Sequence, residues 1–193
     1  AVDSFDTSQC IEDGPVLMDE TLDDLLVLVR IDSIDGSGNV LARAGPCGIR
    51  QNFPETIAVG ILEADSADIR TERAAGRLQE LLVHELAHVL GFGTLWGGER
   101  GLLADTTTSE PYFVGRQARE AFTEIGGDAF DGQPVPVESF GGSGTALGHW
   151  RESSFQNELM IGFINQGDNP LSIVSVASMG DLDLPTDPSA ADA

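Results

Sequence analysis

The chain has 193 residues, enough for one well-buried domain or for two subdomains sharing a cleft, and its apolar fraction of 41% is ordinary for a globular protein. Its charge is not ordinary: 32 acids stand against 10 bases, all of them Arg, for a net charge of −22. A field of that sign repels phosphate backbones and anionic headgroups, so nucleic acid and acidic membranes are poor partners, and the longest wholly apolar run, Leu25–Val29, is far short of the ~20 residues that span a bilayer.

In chain order, the first ~20 residues read as an extended acidic arm. The start, Ala1-Val2-Asp3, carries no visible signal peptide and reads as a mature or trimmed end. Leu25–Ile34 is rich in Val, Leu and Ile and reads as a buried strand. Asp35-Gly36-Ser37-Gly38 follows as a hairpin turn; the stretch Ile31–Asn39 superficially suggests a calcium loop, but Ile34 stands where an EF-hand needs an oxygen ligand. Thr56–Glu63 is a second strand, with Pro54 just before it.

A long helix is expected from Glu72 to Leu90, because Leu78, Leu81, Leu82, Leu86 and Val89 recur at three- and four-residue spacing. Gly91 is its expected stop. The second half is loop-rich, with Gly97-Gly98, Gly126-Gly127 and Gly141-Gly142-Ser143-Gly144 around a short helix at Arg116–Ile125. A last helix is expected from Pro170 to Leu182, with Asn169 as its cap and Pro170 at its first position.

The chain has three histidines. Two lie in His84-Glu85-Leu86-Ala87-His88, and the third in Gly148-His149-Trp150. Four residues apart on a helix, His84 and His88 begin only ~5–6 Å apart, so both rings can converge on one ion. Glu85, one residue further round, can flank that ion without binding it and take a proton from zinc-bound water, then pass it to the departing amine. His149 is the remaining candidate for the third bond that a catalytic zinc needs. The bland alternative is a buried helix with two satisfied histidines and a surface Glu, and His149 as a structural ring beside Trp150.

The two cysteines, Cys10 and Cys47, suggest a single bridge in an exported protein. Two free buried thiols, or a Cys10 thiolate plugging the zinc, are the alternatives.

His84-Glu85-Leu86-Ala87-His88-Val89-Leu90-Gly91-Phe92 resembles the start of the metzincin zinc motif, HExxHxxG. Most metzincins place a third His three residues after that glycine, where this chain has Thr94. The departure matches the leishmanolysin family, in which an insertion separates the glycine from the third ligand. Here the insertion is Phe92–Gly148, and Gly148-His149-Trp150-Arg151-Glu152 resembles that family's third-ligand segment. Asn157-Glu158-Leu159-Met160 resembles its Met-turn segment, with Met160 eleven residues after His149. Weaker likeness extends through Ala44-Gly45-Pro46-Cys47 and Pro170–Asp183. The chain lacks the large cysteine-rich C-terminal region of the best-known members, and no propeptide is recognisable.

The resemblance implies an α+β, metzincin-like fold: a twisted mixed sheet with a long active-site helix over residues 1–91, and an irregular, loop-rich part with a terminal helix over residues 92–193. The two form one catalytic domain with the cleft between them. It implies a secreted zinc metalloendopeptidase, monomeric, acting on extended peptides. In it His84, His88 and His149 bind zinc, Glu85 is base and then acid, Gly91 turns the chain under the metal, and Met160 floors the ligand rings. The strand Thr56–Glu63 would be the rim that pairs with substrate. Calcium is a candidate second ion, since loop Asp residues are plentiful, but no motif identifies a site. The rival from another class is a non-catalytic extracellular binding module on the same fold, stabilised by zinc or calcium.

Overall fold

The computed structural model describes residues 4–18, 21–50, 56–126, 129 and 131–192; Ala1-Val2-Asp3, Pro54 and Gly127 lie outside them. The chain is a mixed α+β protein with small sheets and short helices, and it divides into two compact units, Ala1–Leu90 and Gly91–Ala193. Among the described residues no helix is long and apolar enough to cross a membrane.

The first unit is built on a three-stranded mixed sheet of β3 (Leu26–Asp32), β4 (Ala42–Arg50) and β5 (Thr56–Asp65), ordered β3-β5-β4. β5 runs parallel to β3, from Leu26 opposite Val59 to Asp32 opposite Asp65, and antiparallel to β4. A central strand is covered by its neighbours, and Val59, Leu62 and Ala64 are accordingly buried. β3 is an edge rather than the buried strand its composition suggests, with Val29 and Ile31 more than half exposed.

Because β5 separates β3 from β4, the turn Asp35–Gly38 is not a hairpin turn. It belongs to a crossover loop, and its backbone N–H groups are satisfied by carboxylates at and beyond the end of β5. Asp65 Oδ2 accepts from Ile34, Asp35 and Gly36 at 2.9–3.0 Å, and Asp68 Oδ1 accepts from Gly38 at 2.9 Å. Four donors, including Ala67 N on Oδ1, hold the buried Asp65 carboxyl down at about 2. Further along the sheet, Arg30, Glu63 and Arg43 share one register row, and the buried Glu63 accepts from both guanidinium groups.

The expected acidic arm instead folds on itself. β1 (Ser4–Asp6) pairs antiparallel with β2 (Val16–Met18), the intervening turn buries Thr7 and Ile11, and Cys10 is disulfide-bonded to Cys47. Cys47 is the extra residue of a bulge in β4, between Pro46 opposite Gly60 and Gly48 opposite Val59. A bulge re-aims one side chain out of the ladder, here toward the hairpin.

The long helix anticipated over residues 72–90 is two helices, α1 (Ile69–Ala74) and α2 (Leu78–Val89). Gly76, at φ +81°, takes the left-handed conformation that breaks them. Arg77 then reaches back to Glu72 through two hydrogen bonds of 2.9 Å, fixing the corner. α2 packs on β4 and β5.

The second unit centres on aromatic rings. Trp96, Trp150, Phe92 and Phe113 are essentially inaccessible, with centroid separations of 4.5–5.5 Å among them. Such pairs contribute roughly 0.5–1.5 kcal/mol each beyond area burial. Around them lie the sheet β6-β7-β8 (Leu103–Ala104, Tyr112–Phe113, Val135–Pro136), α3 (Arg116–Gly126), a short α4 (Glu152–Phe155) and α5 (Ile173–Gly180). Asp181, just past α5, accepts from Gln117 N and Ala118 N at 2.9 Å, capping α3. α5 starts later than expected. Ser172, not Asn169, is its N-cap, accepting from Ser175 N. Asn169 instead closes its own loop, exchanging hydrogen bonds with the backbone of Asn165.

Candidate metal centre

On α2 the apolar stripe read from the sequence is only half of the buried face. Leu81 and Val89 are buried, but Leu86 and Leu90 are exposed, while His84, Glu85 and His88 are each 7% exposed or less. Elementary hydrophobicity would rotate the helix the other way. α2 thus buries three ionisable groups while Leu86, and Leu90 just past its end, are exposed.

The Nε2 atoms of His84 and His88 are 3.0 Å apart, with the rings crossed at 78°. Two nitrogens each ~2.0–2.1 Å from a tetrahedral zinc would stand roughly 3.3 Å apart, so the pair needs little adjustment to face one ion. His149 is 5% exposed, and among the described residues His84, His88 and His149 are the set of side chains that could hold a metal ion.

The His149 ring is oriented by its own loop. Its Nδ1 lies 2.9 Å from the Thr145 carbonyl oxygen. A carbonyl only accepts, so Nδ1 carries the proton and Nε2 keeps its lone pair for a ligand role. The backbone is pinned as well: His149 O accepts from Glu138 N, and Trp150 N donates to Met160 O. Trp150 bridges Val137 on one side and Ile161 on the other. Gly93 and Gly148 come so close that a Cβ on Gly93 would stand 2.1 Å from the Gly148 carbonyl oxygen, which only glycine at position 93 permits.

Glu85 is buried, and its Oε2 has no hydrogen-bond partner among the described residues. Burial pushes this carboxyl up to about 8; a nearby cation opposes that shift. A buried carboxylate oxygen left without a donor is costly, which marks Glu85 Oε2 as open to a ligand that can donate to it. Three imidazoles fit a catalytic zinc ion in donor number and type, and the carboxylate of Glu85 is uncommitted beside two of them on α2.

The remaining predicted residues are placed as follows. Gly91 has φ +111°, a conformation that side-chain-bearing residues rarely adopt. Met160 is fully buried, and its backbone is tied to Trp150, the neighbour of His149. Cys10 and Cys47 are joined, so neither is free to bind an ion. The sequence pattern was silent on Thr145 and Glu138. Thr145 acts through its backbone carbonyl, which leaves no mark on residue identity. Glu138 accepts from Ser139 N, Phe140 N and Glu152 N, and an isolated Glu in a loop gives no local signal of that.

Comparison with known proteins agrees with the geometry. A leishmanolysin homolog from Crithidia fasciculata is 34% identical over 145 residues, covering 70% of this chain and 21% of its own length. The chain therefore spans about a fifth of that relative. The family model described as leishmanolysin, peptidase M8, matches residues 19–186. With a match that takes in α2, the His149 segment and Met160 together, this chain belongs to the leishmanolysin family of metallopeptidases.

Proposed function

We propose that this chain is the catalytic part of a secreted, zinc-dependent metalloendopeptidase that cleaves extended peptides. The observation that carries the proposal is the company Glu85 keeps: a buried carboxylate with an uncommitted oxygen, on the same helix as two of the three buried imidazoles that could hold a metal ion. A binding module would have no need of an acid there.

His84, His88 and His149 would hold the ion. A zinc ion held there would supply Lewis acidity for a peptide carbonyl and for water near neutral pH. Glu85 does the proton work. Its carboxylate takes a proton from the attacking water and returns it to the amine that leaves, so it ends the cycle as it began. Burial helps, because proton transfer and charge stabilisation are stronger where water is excluded. Thr145 holds His149 in one tautomer, and Met160 gives the ligand-bearing segment an apolar floor.

Peptide recognition uses a sheet edge. β5 cannot be the rim expected from the sequence, because both of its sides are taken by β3 and β4. Among the described residues β4 pairs on one side only, and it packs against α2. β4 is therefore the strand to which an extended substrate adds, through main-chain hydrogen bonds. The disulfide accords with an oxidising, extracellular setting.

Glu85→Gln tests the reading. It should lower peptide hydrolysis by roughly 10²–10⁴-fold while zinc content stays at the wild-type level. Turnover kept in that variant would remove Glu85 from the mechanism.

A further inference from the structure

Glu158 is a buried acid, 4% exposed, that the proposed reaction does not use. Burial pushes its carboxyl up, against hydrogen bonds from Ser175, Ser172 and Met160 that pull it down. Both of its oxygens are engaged. Oε2 accepts from Met160 N; Oε1 accepts from Ser172 N at 3.0 Å, from Ser172 Oγ at 2.8 Å and from Ser175 Oγ.

Followed outward, these bonds close on themselves. Ser175 Oγ donates to Glu158 and accepts from the Trp150 indole N–H at 2.8 Å. The Trp150 backbone N–H donates to Met160 O at 3.1 Å. Met160 N–H donates back to Glu158. Glu158, Met160, Trp150 and Ser175 thus form one closed ring of four hydrogen bonds, in which Trp150 donates twice, Glu158 accepts twice, and Met160 and Ser175 each donate once and accept once. The residue before Trp150 is His149.

We infer that Glu158 is a positioning residue of the metal centre: the ring it closes fixes the backbone of Trp150 against Met160, and so sets where the His149 ring is presented. A carboxylate suits this task because it offers acceptors in two directions and no competing donor. Glutamine cannot replace it, since its amide NH₂ would face either the Met160 N–H or the Ser175 hydroxyl as a second donor. The ring also explains why Trp rather than Phe stands at position 150, as the indole N–H is one of its four links. The plainer role, tethering Ser172 at the start of α5, uses Oε1 alone and leaves the bond to Met160 without a purpose.

This inference rests on the reading of His149 as a metal ligand, and the test separates the two. Full-length wild-type protein, Glu158→Gln and Ser175→Ala would be loaded with cobalt(II). Visible absorption would be recorded together with cobalt affinity, by competition with a chromophoric chelator, and far-UV circular dichroism. Wild type should bind one cobalt with intense visible bands; no such binding would overturn the metal reading and the inference together. Given wild-type binding, both variants should keep the wild-type dichroism, shift the cobalt bands and lose about 10–100-fold in affinity, the range for groups that orient metal ligands. Should Glu158→Gln fail to fold, Ser175→Ala, which cuts the same ring by deleting one hydroxyl, decides alone. Wild-type bands and affinity in a folded variant that has merely lost thermal stability would overturn the inference and leave the metal reading intact.

Discussion

Gly60, at the centre of β5, lies directly under Val89, the last residue of α2: a Cβ at position 60 would stand 2.3 Å from Val89 Cγ1. The helix that carries His84 and His88 rests on its sheet at a distance only glycine allows, since Val89 is fully buried and has nowhere to retreat.

Gly60→Ala should therefore destabilise by about 1–3 kcal/mol, the usual cost of overpacking a filled core, measured as a shift in the urea midpoint at constant slope. Val89→Ala on that background should recover part of the loss, because it removes the two methyls the new Cβ meets. Additive losses in the double variant would mean that the contact is not the cause.

Asp65 makes acid stability a test of the crossover loop. Its carboxyl is held at about 2 by backbone donors, below an ordinary value of 3.8. A depressed folded-state value stabilises the fold fully above the unfolded value and loses that contribution as pH falls through the folded one. Stability should drop between about pH 4 and pH 2, and Asp65→Asn should flatten that part of the profile. An unchanged profile in the variant would assign the acid sensitivity to other carboxylates.

The Cys10–Cys47 bridge closes a loop of 37 residues in sequence separation, which in the chain-entropy model is worth about 4 kcal/mol. The double Cys→Ser variant should lose stability on that scale in denaturant, and reductant should lower the wild type to match. The bridge ties the turn of the hairpin to β4, the proposed substrate rim, so hydrolysis of long peptides should suffer more than that of short ones.

Much of the candidate site was legible because its chemistry is local. His84, Glu85 and His88 sit within one turn and a half of helix, and spacing alone orients them; Gly91 declares itself by following an apolar stripe. His149 needed the resemblance to a known segment, since nothing around it otherwise separates a ligand from a structural ring. The sheet was less legible. Strand character in Leu26–Asp32 and Thr56–Asp65 follows from composition, but which of them is central is a long-range fact, and a hairpin between neighbours in sequence was the wrong default. Gly76 could have been weighed as a helix breaker; the leucine periodicity on either side of it masked the interruption. The Glu158 ring was invisible because it joins residues up to 25 apart, each ordinary by itself.

The central claim is that three imidazoles hold a zinc on which peptide hydrolysis depends. Its most direct test is metal analysis of the purified protein, paired with casein hydrolysis before and after a zinc-selective chelator and after zinc is returned. About one zinc per chain, with activity lost on chelation and regained on reloading, is the expected result. Zinc bound at that ratio without hydrolysis, or a chain that takes up no zinc on reloading, would contradict it.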